Sequence, residues 1–350
     1  MFRSKTVIIV GAGASAEFGV PTGFQIFEKA LKLPPKLDRH DSEFIGFAFQ
    51  NGFDKHLMAQ SRNGLWSKYE DFVSRVNNSA YPSIDRLAWI NPDISDVCRA
   101  FSAWSILEAL YTGQREHFTD YGKHRARFFY DKSNPHLYPI VNNNQNWIAA
   151  TVNKWTGEAE SASDLDSDSL TFVTFNYDRL IEEGFEHFIA HSRRFDGIEA
   201  GSLPSVLHVH GSFPEMPKHL DAQFVIDSQQ CIQYIEDGGE SETVSEARKR
   251  IDEAEYVVCV GFDFDPKNVA LIGLEQHAAK LQVLNYDGND ALQNRVVSIG
   301  AQTNQILSGD SENGLGVSKA FGRGFLDRAE LLAPQAKTAF VGLSSDKRSQ

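Results

Sequence analysis

Residues 6–16 read TVIIVGAGASA. Its first five residues are apolar or β-branched without interruption. A strand with one solvated face alternates, so a continuous run belongs to a strand buried on both faces, as in a parallel sheet. The turn Gly11-Ala12-Gly13 follows at once, and a helix is expected after it. Strand, glycine turn and helix open a doubly wound α/β domain. GAGASA also fits GxGxxG/A through Gly11, Gly13 and Ala16. In that reading Gly11 permits a tight turn, Gly13 lets the backbone approach a pyrophosphate, and small Ala16 lets the helix pack close.

Outward from this stretch, apolar strand-like runs return at residues 170–175 (LTFVTF), 205–209 (SVLHV), 256–260 (YVVCV) and 281–285 (LQVLN). They end in NYD, HGS, GFDFDP and YDGND, the polar or glycine-containing turns that bind ligands at the carboxyl ends of open α/β sheets. Between residues 31 and 163 the periodicity is helical instead. Val97, Phe101, Trp104, Leu107 and Tyr111 share a face, as do Ile148, Val152 and Trp155, and as do Phe72, Val73 and Val76. The acidic stretch 158–169 reads as a surface loop. After residue 298 the pattern weakens to a helix over 320–332 and a frayed tail. The expected fold is therefore α/β, a Rossmann-like doubly wound, mostly parallel sheet with an inserted helical region. Residues 1–30 and 164–300 would form a discontinuous nucleotide-binding unit, 31–163 the insertion, and 301–350 a C-terminal helix and tail.

Composition excludes several classes. Lys+Arg total 34 against 47 Asp+Glu, a formal charge of −13, so no broad nucleic-acid surface is expected. An anionic ligand would need backbone amides or a local pocket. The three cysteines, Cys98, Cys231 and Cys259, are too scattered for a zinc ribbon or a disulfide framework. No apolar run is long enough for a membrane span or a signal-peptide core, and a cytoplasmic protein is expected.

A dehydrogenase would place an acidic residue at the end of a second strand about 20 residues beyond the glycines. Here that region reads FGVPTGFQIFEKALKLPPKL, with Glu28 inside an apparent helix, which disfavours hydride transfer. The chain instead resembles the sirtuin superfamily in an ordered set of motifs. These are Gly11-Ala12-Gly13, Gly19-Val20-Pro21, Asn176-Tyr177-Asp178, His210-Gly211, Val260-Gly261 and Leu284-Asn285. The resemblance covers about residues 6–20 and 170–287 and leaves out the insertion. It implies that Gly11, Ala12, Gly13 and Ser15 surround the NAD pyrophosphate and adjacent ribose. It places Asn176 and Asp178 at the nicotinamide end and His210 by the nicotinamide ribose as general base. Gly211 and Gly261 would approach the cofactor, and Asn285 would contact the adenosine ribose.

The departures narrow the resemblance. Thr22-Gly23-Phe24 stands where deacylases carry Asp-Phe-Arg, Phe175 stands where they carry Gln, and three cysteines cannot build their zinc module. The chain is more similar to the zinc-free, sirtuin-like proteins of bacterial antiphage defence. That resemblance implies hydrolysis of NAD+ to nicotinamide and ADP-ribose as an abortive-infection effector, with NAD+ as substrate and no metal. It also implies activation by a homo-oligomer or by a partner, such as a HerA-type ATPase, a nuclease or an Argonaute-type protein.

The residues alone permit the chemistry. Cleavage at the ribose carbon passes through an oxocarbenium-like state, and the leaving group already carries positive charge. A positioned water and a modest base suffice, and histidine is such a base. Asn176 can orient the water or ribose hydroxyls, and Asp178 can stabilise developing positive charge. Plainer readings stand beside this. Asn176 could be a turn former, Asp178 a helix cap and His210 a core histidine, while Asp263 and Asp265 would shape a turn or cap. His208 and His210 share a strand face, but no third metal ligand follows at suggestive spacing. A non-catalytic NAD or ADP-ribose sensor, and an NAD-dependent deacylase or ADP-ribosyltransferase, are the rival functions.

Overall fold

A computed structural model describes residues 2–35, 62–80, 83–112, 146–157, 159–195, 198, 200–215, 222–234, 240–286, 288–309, 316–322 and 324–327. Strand β1 (Thr6–Val10) is buried along its whole length. It pairs in parallel with β2 (Leu170–Thr174) on one side and β4 (Tyr256–Val260) on the other. Beyond β2 lies β3 (Ser205–His208); beyond β4 lie β5 (Leu281–Asn285) and β6 (Ile306–Ser308). The order is β3-β2-β1-β4-β5-β6 with every pairing parallel, the arrangement of a doubly wound Rossmann-type sheet. Strand β6 has only three residues and was not foreseen after residue 298.

Residues on β1 alternate between two cores, because successive side chains leave opposite faces of a strand. Ile8 and Val10 join Phe172, Val258 and Val260 in a core shared with most of the helices. That face receives α1 (Ala12–Ala16), α2 (Gly23–Leu31), α3 (Arg62–Asn77), α4 (Ile84–Ile90), α5 (Ser95–Thr112) and α6 (Trp147–Thr156). It also receives α7 (Leu180–Ala190) and α8 (Ala222–Cys231). Val7 and Ile9 face the other core, with α9 (Glu242–Glu253), α10 (Pro266–Leu271) and α11 (Asp290–Ser298). Phe72, Val73, Val76, Val97, Phe101, Trp104, Leu107, Ile148, Val152 and Trp155 are all buried, as their helical spacing predicts; the Tyr111 side chain lies outside the described residues. They share the sheet's core rather than building a separate one.

Local signals explain where the helices begin. Thr22 and Gln25 form a capping box at α2: the Thr22 hydroxyl accepts from Gln25 N–H, and the Gln25 side chain accepts from Thr22 N–H. Asp265 caps α10 by accepting from Lys267 and Asn268 N–H, with Pro266 at the first helical position. The acidic loop carries two short 3-10 turns, Ala162–Asp164 and Ser167–Ser169. Of the C-terminal helix expected over 320–332, the structure describes α12 (Val317–Gly322); residues 328–350 lie outside the described residues. Among the described residues no helix is long and apolar enough to cross a membrane.

Candidate functional site

The strand order reverses between β1 and β4, and parallel strands bring all their carboxyl ends to one edge. In open α/β sheets a ligand binds beside such a reversal, and here that edge is where the chain leaves β1, β2, β3 and β4. The β1 and β4 turns meet there on glycine. A methyl group on Gly11 would lie 2.3 Å from the Gly261 carbonyl oxygen, and one on Gly13 would lie 2.9 Å from Gly261 Cα. Gly261 itself has φ +59°, and a methyl there would lie 2.0 Å from Ala14 N. Gly11 N–H donates to Val260 O and Gly13 N–H to Gly261 O, both at 3.0 Å. These glycines thus hold one turn against the other, and two of their amides are already engaged. Gly211, at φ +85°, makes a similar approach to the Cys231 carbonyl. Ala12 is half-buried at the start of α1.

Asn176 follows the end of β2 at this edge and is buried. Its main-chain N–H donates to the Thr174 hydroxyl at 3.1 Å, and that hydroxyl donates to Val10 O at 3.3 Å. Its side-chain Nδ2 donates to Gly11 O at 3.2 Å and to Ser15 Oγ at 2.8 Å. Both amide hydrogens are therefore used. The opposite atom, Oδ1, is buried without a hydrogen-bond partner. The Ser15 hydroxyl favours the charged form of the Asp178 carboxyl. Asp178 also accepts from Leu180 N–H at 3.2 Å, so it supports the start of α7 as well as the site. Burial pushes the Asp178 carboxyl upward, against the Ser15 and Leu180 hydrogen bonds and the charge of His208.

His210 stands beside Asn176. Thr174 and His208 are register partners, so the two chains leave the sheet level with each other. The His210 main-chain carbonyl accepts from Gln233 N–H at 3.0 Å. Its ring Nε2 faces Asn268 Oδ1 at 2.9 Å, so Nε2 donates, and in the neutral ring that burial favours Nδ1 carries the lone pair. Burial pushes the imidazole below its usual value, opposed by the Asn268 hydrogen bond and Asp265. Phe175 meets the His210 ring edge-on at 5.3 Å and stacks on Phe262 at 4.9 Å. Phe264, next along, is buried at φ +56°, a strained conformation for a non-glycine residue. That loop, closed by the Asp265 cap, carries Asn268 to His210.

Asn268 was absent from the sequence reading. It lies 58 residues from His210. The available signal was GFDFDPKN, whose cap and proline place Asn268 on the first turn of a helix after a strand end. Asn285 is placed differently from the rest: it is 1% exposed. Its Nδ2 donates to Asn289 O, and its Oδ1 accepts from Asn289 N–H, each at 3.1 Å. Its side chain closes its own loop. Among the described residues no cluster of three His, Cys, Asp or Glu side chains is set to hold a metal. Cys98 and Cys259 are buried thiols, held upward in pKa by burial.

No protein-family model matches the sequence, and no curated protein matches it. Among solved structures, the chain is 14% identical to a Sir2 homologue complexed with NAD, covering 93% of this chain and 91% of that one at a TM-score of 0.39. It is 14% identical to a Sir2 homologue variant complexed with ADP-ribose, covering 94% and 95% at a TM-score of 0.39. It is 13% identical to a Sir2 enzyme bound to a propionylated peptide, covering 93% and 94% at a TM-score of 0.37. At these identities and TM-scores, no residue's role passes from those proteins to this chain.

Proposed function

We propose that this chain hydrolyses NAD+ to nicotinamide and ADP-ribose. The observation that carries the reading is Asn176 Oδ1, a buried acceptor with no partner, on a side chain whose Nδ2 reaches Gly11 O at the end of β1. A buried polar atom without a partner costs about 1–3 kcal/mol, and a ligand bearing a hydroxyl or a water would recover it. His210 offers a basic nitrogen on the neighbouring strand end. The order of the sirtuin-like motifs in the sequence supports NAD+ as that ligand.

In this reading the bond between the ribose anomeric carbon and the nicotinamide nitrogen breaks, and its electron pair neutralises the departing ring. Water bonds to the same carbon and gives its proton to His210 Nδ1. Asn176 Oδ1 accepts a hydrogen from that water or from a ribose hydroxyl. Asp178, behind Ser15, supplies negative charge as the oxocarbenium develops. The aromatic wall of Phe175, Phe262 and Phe264 limits water to the reacting face.

An unregulated NAD hydrolase would deplete its own cell. The reading therefore includes control by assembly with further copies, or by a partner such as a HerA-type ATPase, a nuclease or an Argonaute-type protein, within cytoplasmic antiviral defence. The test is nicotinamide release from NAD+ by wild type, His210→Ala and Asn176→Ala across a range of protein concentrations. Wild type releases nicotinamide, and each variant loses about 10²-fold or more. Saturable NAD+ binding with no release in any assembly state would leave a sensor. Release that requires an acylated or acceptor protein would leave a transferase. Absence of NAD+ binding would overturn the reading.

A further inference from the structure

The His208 ring lies below Asn176, and both of its nitrogens face oxygens that carry no hydrogen. Nδ1 is 2.8 Å from the Asn176 main-chain carbonyl oxygen, and Nε2 is 3.0 Å from Glu182 Oε1. A neutral imidazole has one N–H and could satisfy only one of these acceptors. We propose that His208 is a fixed imidazolium, clamped by Glu182, and that its Nδ1–H sets the orientation of Asn176. His208 and Glu182 are then positioning residues that touch no reacting atom.

The surroundings favour that state. Arg179 faces the pair from the start of α7, its Nη2 3.7 Å from Glu182 Oε1, and keeps Glu182 ionised, while Asp178 adds negative charge from the turn. Burial alone would lower the His208 pKa; Glu182, the Asn176 carbonyl and Asp178 outweigh it and raise the value. Both side chains are largely buried, 9% exposed for His208 and 16% for Glu182, so solvent screens the pair little. The consequence reaches the site through one peptide unit. With its carbonyl pinned by His208 and its N–H on Thr174, the Asn176 main chain has little freedom to turn. Its side chain then places Nδ2 on Gly11 and Ser15 and leaves Oδ1 open.

The catalytic consequence rests on the hydrolysis reading; the charge state and the hold on Asn176 do not. Two substitutions separate the contacts. His208→Asn keeps a donor near the Nδ1 position, and His208→Gln keeps one near the Nε2 position only. His208→Gln is expected to lower kcat for nicotinamide release roughly 10- to 100-fold, with KM little changed, whereas His208→Asn stays close to wild type. A merely structural histidine would make the two variants lose alike, and that result overturns the proposal. The second readout needs no turnover. Nitrogen-15 NMR of the full chain is expected to show both His208 ring nitrogens protonated at pH 7. The Asn176 side-chain amide resonance is expected to move in His208→Gln and not in His208→Asn. A singly protonated ring at pH 7, or an unmoved amide, refutes the proposal even if wild type never cleaves NAD+. Failure of wild-type turnover alone refutes the hydrolysis reading instead.

Discussion

The contact between the β1 and β4 turns can be dissected with one added methyl group at a time. Gly19 has φ +85° and open space around it, so Gly19→Ala meets only the left-handed conformational penalty, about 1–2 kcal/mol. Gly11 has no positive φ, but its methyl would lie 2.3 Å from Gly261 O and 2.7 Å from Phe262 Cα. Both neighbours are backbone and cannot rotate away, so Gly11→Ala meets overpacking alone, about 1–3 kcal/mol. Gly261 combines φ +59° with a methyl 2.0 Å from Ala14 N, so Gly261→Ala is expected to lose about 2–5 kcal/mol. The assay is urea unfolding, read as shifts in midpoint at constant m-value. Because Gly11 and Gly261 touch, the double variant should lose less than the sum of the two, by about 0.5–3 kcal/mol. A turn pushed outward also withdraws Gly11 O from Asn176 Nδ2, so NAD+ affinity should fall in Gly11→Ala and Gly261→Ala but not in Gly19→Ala. If Gly19→Ala and Gly261→Ala fall within about 0.5 kcal/mol of each other, the contact does not hold the two turns and the reasoning fails.

Further outcomes follow from the same geometry. If His210 is the base it must be neutral; burial lowers its pKa, so the acid limb of kcat/KM against pH should lie below about 6.5, and a limb above 7 would remove His210 from that role. The His208–Glu182 pair gives a stability window. The raised His208 pKa contributes fully below about 6.5 and fades as pH rises through the folded value, while the lowered Glu182 pKa contributes fully above about 4.3 and fades as pH falls through its folded value. The stability advantage of wild type over Glu182→Gln should therefore be greatest between those limits, and an advantage that grows steadily with pH would contradict the pairing. Lys280 Nζ donates to the carbonyls of Ile251, Asp252 and Ala254 at 2.6, 2.9 and 2.8 Å, closing the end of α9. Lys280→Met should lose about 1–3 kcal/mol in thermal or urea unfolding, and no loss would show that water serves those carbonyls as well.

Most of the sheet was legible in the sequence. The runs in β1 and β4 are apolar or β-branched with almost no interruption, those in β2 and β5 are mainly so, and only strands covered on both faces tolerate that, so their existence and parallel character were legible. Helical spacing likewise told which faces of α3, α5 and α6 are buried. Strand β6 was not legible, because Ile306–Ser308 is too short to carry a period and is held by pairing with β5. Asn176, Asp178 and His210 were picked out by the ordered motifs of the sirtuin resemblance, each at a strand end. Their bonding partners were beyond local reasoning. The engagement of both Asn176 amide hydrogens depends on Gly11 and Ser15, more than 160 residues away in the chain. Asn268 reaches His210 only because β4 and β3 end at the same edge of one sheet. The glycines show the division most plainly. Sequence marked Gly11, Gly13 and Gly261 as places where something must come close. In the folded chain Gly11 and Gly13 lie against Gly261, because a missing side chain specifies a vacancy and only the packed chain specifies what lies beside it.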